Sequence, residues 1–134
     1  MADNRWDRKA AVLARMKAIP PQVRADMRGA VDQQAAFLTE QIRPNVPKDE
    51  GELADSVEWH RNNRGDKIGA VITEGANDET LGRKARANEF GRGGDNPMEA
   101  RPHFFPTYRA FKKRINRALN AVGKRAAGKH WGRT

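Results

Sequence analysis

The sequence has no cysteine, which excludes disulfide staples, thiolate metal sites and a cysteine nucleophile together. It also lacks any run approaching the roughly 18 apolar residues of a membrane span, so no membrane partner is expected. The first ten residues, MADNRWDRKA, hold no apolar signal core, which argues against secretion. The expected location is the cytoplasm, or a particle assembled there. Aromatic residues are scarce at 7%, and hydrophobic residues reach only 37% of 134, so one domain with a modest core is expected. One further absence is local. From Arg101 to Thr134 there is no Asp or Glu against ten Lys and Arg, whereas the first hundred residues carry sixteen bases and seventeen acids. The net charge of +9 therefore sits in one segment. Such a segment suits DNA, RNA, an acidic protein surface or an anionic membrane, or it is a solvated helix face with a frayed basic tail.

Catalytic patterns are missing too. His60, His103 and His130 fall in separate segments without the paired spacing of a zinc site. The glycines of GRGG follow a helical pattern and lack the lysine and Ser/Thr that end a phosphate loop. Ser56 has no nucleophile-elbow setting. No enzyme activity, cofactor or metal is expected.

The hydrophobic pattern is informative. Trp6, Ala10, Leu13 and Ile19 mark a first helix, which Pro20 stops. Val23, Met27, Val31, Leu38 and Ile42 mark a long second helix from Pro21, where proline suits a first turn. In VPKDEGELADSV, Asp49 and Glu52 have capping-box spacing. The period then changes to two in SVEWHR and KIGAVITEG, joined by NNRGD, which predicts a β-hairpin. Helix character returns from Asp78, a capping residue, to Gly91. A last helix is predicted from Pro106, with Tyr108, Phe111, Ile115, Leu119 and Val122 on one stripe and a mobile tail after Gly123. The apolar faces predict that Trp59, Ile68 and Ile72 pack on Val31, Leu38, Phe111 and Ile115. The fold class is thus α+β: long N-terminal helices and a basic C-terminal helix on a small antiparallel sheet. One domain spans 1–134, with a helical extension at 1–20, a core at 21–122 and a basic tail at 123–134.

Three motifs occur in order: VPKDEGELADSV, then ANEFG, then ARPHFFPTYRAFKKRI. Over roughly residues 21–120 this order resembles the tail-completion, or neck, proteins of long-tailed phages and prophages. Val46, Pro47, Asp49, Gly51, Leu53 and Ser56 carry the first motif; Glu89, Phe90 and Gly91 the second; Ala100, Pro102, Phe104 and Pro106 the third. Glu50, Arg92 and His103 depart from the usual threonine, threonine and aromatic residue. The resemblance implies a structural virion protein at the head–tail junction. Its implied partners are its own copies as a ring (hexamer or dodecamer), a connector, adaptor or stopper protein of the head, and a tail-terminator or tail-tube protein. Double-stranded DNA would pass through the lumen.

The residues suggest how such contacts are made. Glycine-rich Arg92, Gly93, Gly94, Asp95 and Asn96 form a candidate partner-contact arm. Phe90, Gly91, Pro102, Phe104 and Pro106 form a candidate structural joint, with Phe104 and Phe105 anchoring by burial. Arg109, Lys112, Lys113 and Arg117 are candidates for nucleic acid or an acidic surface. The alternative function is a small basic DNA- or RNA-binding protein.

Overall fold

A computed structural model describes residues 10–11, 19–62 and 67–130. The predicted first helix, Trp6–Ile19, falls almost wholly outside them; Ala10 and Ala11 are helical. Helix α1, Pro21–Ile42, starts on proline and buries Val23, Ala30, Ala35, Leu38 and Ile42 along one stripe. A 3₁₀ turn, Arg43–Asn45, ends it at Pro44. The Arg43 guanidinium donates to the Val57 carbonyl from Nε at 3.2 Å and Nη2 at 2.8 Å, tying this turn to the start of the hairpin.

Helix α2, Gly51–Asp55, is one short turn. Its expected Asp49 capping box does not form: Glu50 occupies the cap position, and no side chain caps the turn. Asp49 lies one residue before that cap, and its carboxylate accepts from Arg101 at 2.9 Å in an exposed long-range ion pair. The hairpin comprises β1, Glu58–Asn62, and β2, Gly69–Thr73, antiparallel, with Trp59 opposite Ile72 and Arg61 opposite Ala70. Arg61 grips Asp32 of α1 through two nitrogens, holding this face of the hairpin on the helix.

Helix α3, Glu79–Phe90, begins where Asp78 accepts from the Thr80 and Leu81 amides and ends at Gly91, with φ +78°. Helix α4 runs from Phe104 to His130. It neither starts at Pro106 nor frays at Gly123. Proline tolerates the first turn, so the helix begins upstream. A Cβ at Gly123 would lie 3.4 Å from Met27 Sδ, so glycine lets α4 pass close to α1 rather than ending the helix. Beyond it Ala126 is buried, and His130 sits 3.3 Å from Asp26 of α1.

The core lies at the C-terminal end of α1: Leu38, Ile42, Val46, Leu53, Val57 and Ala85. Ile72, Phe104, Phe111 and Ile115 pack around it. Expected partners Leu38, Ile72 and Ile115 therefore meet. Phe111 packs there as well and also meets Phe37, edge to face at 5.3 Å, while Arg114 lies 4.5 Å over the Phe37 ring. Leu53, in the first motif, and Val57, at the head of the predicted strand SVEWHR, are wholly buried. Helices on a two-stranded antiparallel sheet make this an α+β fold.

A carboxylate joint and an exposed aromatic ladder

The last helix starts without a capping side chain of its own. Arg101, Pro102 and His103 precede it, and none offers the short oxygen acceptor that orphan helix amides require. Glu89, in the last turn of α3, supplies that acceptor from another element. Its Oε2 accepts from the His103 and Phe104 amides at 2.9 and 3.0 Å, and its Oε1 from the Phe105 amide at 3.0 Å. A buried carboxylate thus caps α4 where the helix dipole favours negative charge.

His103 closes the joint from the other side. Its Nε2 lies 2.6 Å from Glu74 Oε1, at the end of β2, and its Nδ1 lies 3.0 Å from the Arg101 carbonyl. The same Nδ1 is 3.6 Å from Glu89 Oε2. Burial opposes the charged imidazole, but the bonds to Glu74 and Arg101 and the two carboxylates outweigh it and raise its pKa above the usual histidine value. Burial likewise works against the Glu89 carboxylate, yet its three amide donors and the neighbouring His103 hold its pKa below the ordinary value. Backbone bonds extend the joint: the Arg101 amide donates to the Asn88 carbonyl.

Between the halves of the joint lies the glycine loop. Arg92 and Met98 exchange two backbone hydrogen bonds, at 2.9 and 2.8 Å, and Arg92 Nε donates to the Asn96 carbonyl at 2.8 Å. Gly91 needs its glycine: at φ +78° a Cβ would sit 3.0 Å from the Met98 carbonyl oxygen. Arg92, Gly93, Gly94, Asp95 and Asn96 are all exposed.

The structure divides the candidate joint residues. Phe104 packs against the core, Pro102 is exposed and Pro106 is half-buried. Phe90 is 68% exposed and lies on the surface, its ring 6.0 Å from that of Phe105, which is itself 44% exposed. Anchoring by burial thus belongs to Phe104. Phe90, Phe105 and Tyr108, the last 40% exposed, line one side of the molecule. Phe105 and Tyr108 continue into an apolar groove of about 340 Å³ between α1, β2 and α4, whose floor includes Val31, Leu38, Ala70, Ile72, Ile115 and Leu119. Arg109, Lys112, Lys113 and Arg117 are exposed along α4.

Sequence reading gave no role to the Glu89 carboxylate, Glu74 or the His103 ring. The signal was the missing cap before FFP, which leaves the first amides of the helix open to an acceptor from another element. Among the described residues no group of His, Asp or Glu is arranged to hold a metal ion, and no helix is long and apolar enough to cross a membrane.

Residues 10–91 match the family model described as "Bacteriophage HK97-gp10, putative tail-component". The match begins inside the predicted N-terminal extension and ends at Gly91, so it includes the first two motifs and leaves out the third. No curated protein and no solved structure matched the chain. With well over half of its 134 residues covered, the chain belongs to the HK97-gp10-like family of phage tail components.

Proposed function

We propose that this chain is a structural protein of the phage head–tail junction, a non-enzymatic component of a neck ring, assembled in the host cytoplasm and carried in the virion. Its family membership supports a tail component. The observation that carries the finer reading is the joint itself. A buried carboxylate fixes α3 to α4, and the glycine loop and the Phe90–Phe105 ladder project from that fixed point. Rigid seating of exposed contact groups lowers the ordering cost of assembly. In this reading Arg92–Asn96 is the contact arm toward a neighbouring copy, in a hexamer or dodecamer, or toward the connector, stopper or tail-terminator layer. The single chain remains one domain in that ring. Particles made without it should accumulate as separate filled heads and tails in electron micrographs; normal infectious particles would overturn the reading.

A second reading, binding of DNA or RNA, is favoured by one observation. Arg109, Lys112, Lys113 and Arg117 are exposed on an acid-free helix. Duplex passing through a ring lumen would meet such a face. Binding should then fall steeply with salt and fall further when Lys112, Lys113 and Arg117 are reversed to Glu. A flat salt response would eliminate it.

A further inference from the structure

We propose that the groove between α1, β2 and α4 receives an amphipathic segment of another virion protein, with apolar side chains on one face and carboxylates along its edges. The proposal rests on the reading above that the chain works through contacts with other virion proteins.

The first ground is the exposed apolar surface. Phe90, Phe105 and Tyr108 are among the few large hydrophobic side chains that the described residues leave exposed, and they run toward the groove mouth. Such a continuous strip, with a concave floor, is what a partner's anchoring side chains fill. From Phe105 to Leu119 the α4 side of the groove extends about 21 Å at 1.5 Å per residue, matching a partner helix of about four turns. The joint holds this strip in place, since Glu89 bonds the Phe105 amide and Phe90 follows Glu89 in sequence.

The second ground is charge. Tyr108, Lys112, Ile115 and Leu119 recur at helical spacing, so Lys112 stands on the groove row of α4, with Arg109 next to it around the helix. Arg86 lines the smaller cavity beside Phe90 and Phe105. None of these three bases forms an ion pair with a described residue. The nearby acids are already engaged: Asp32 with Arg61, Glu74 with His103, and Glu89 with the α4 amides. The groove is therefore apolar within and cationic at its edge. Carboxylates on the occupant complement that edge, whereas a phosphate backbone leaves the apolar floor unfilled.

The test uses the full chain and two fluorescent helical peptides of about 14 residues, or about four turns. Both carry Leu and Phe on one face; one carries Glu and the other Lys on the opposite face. The Glu peptide should bind by anisotropy and lose affinity in about 1 M salt, where the screening length is about 3 Å. The Lys peptide should bind at least about tenfold more weakly. Tyr108→Ser should weaken the Glu peptide by about tenfold, the effect of losing one anchoring contact. Arg109→Glu with Lys112→Glu, both exposed and so compatible with folding, should transfer the preference to the Lys peptide. Any of three results overturns the assignment: equal binding of both peptides, self-association of the chain through Phe105 and Tyr108, or failure of the Glu peptide while duplex DNA perturbs the same residues. If the Glu peptide fails but deletion still leaves heads and tails unjoined, the groove assignment falls and the junction reading stands.

Discussion

Replacing Glu89 with Gln keeps the side chain's size and removes its charge. The Glu89 carboxylate serves three amides, His103 and Phe104 through Oε2 and Phe105 through Oε1. An amide can keep one oxygen, and the less costly choice keeps the pair at the Oε2 site. Its NH₂ then faces the Phe105 N–H, donor against donor, leaving a buried group unsatisfied at a cost of about 1–3 kcal/mol. The two surviving bonds change from charged to neutral acceptors, and the helix dipole loses its anion, together about 1 kcal/mol. The expected loss is about 2–4 kcal/mol, which at about 4 °C per kcal/mol lowers Tm by about 8–16 °C in a domain of this size. Thermal melts followed by circular dichroism at pH 7 give the value, with Glu99→Gln, at an exposed site, as the control. A shift under about 4 °C, or about 1 kcal/mol, would refute the carboxylate joint as a stabilising element.

His103, with its raised pKa, contributes stability that is complete below its ordinary value of 6.5 and is lost as pH rises through the higher folded value. The Tm of the native chain should therefore decline above neutral pH, and His103→Gln should flatten that decline; parallel profiles would contradict the assignment. Glu89, with its lowered pKa, contributes stability present above 4.5 and lost as acid titrates it through the lower folded value, a loss Glu89→Gln should remove from the acid limb of the same titration. Gly91→Ala should cost about 1–2 kcal/mol because the residue sits at positive φ against the Met98 carbonyl, whereas Gly93→Ala, with open space around its Cβ, should change urea midpoints little. Phe111→Ala should cost about 2 kcal/mol by chemical denaturation, below the usual range for a buried Phe, because the ring is only half-buried against Phe37; a loss near zero would remove that contact from the packing scheme.

Sequence alone determined the local elements. Pro20 and Pro21 fixed the start of α1, Asp78 and Gly91 bracketed α3, and the change of period from helix to alternation located the hairpin. These signals are legible because each acts over a few residues through backbone sterics or a local hydrogen bond. The ordered motifs also pointed to a phage tail protein, and the family match agrees over residues 10–91. What only the tertiary structure decided concerns partners far apart in the chain. Asp49 pairs with Arg101 rather than capping α2, Gly123 lies within α4 where Met27 passes beside it, and Leu53 is core. The joint is the clearest case. Whether Glu89 faces solvent or caps a helix that starts fifteen residues later depends on how α3 meets α4, and the same meeting puts Phe90 outside while its neighbour is buried. Periodicity ranks positions by face, but it carries no information about which face of one element confronts which end of another. That is set by the packing of the whole chain.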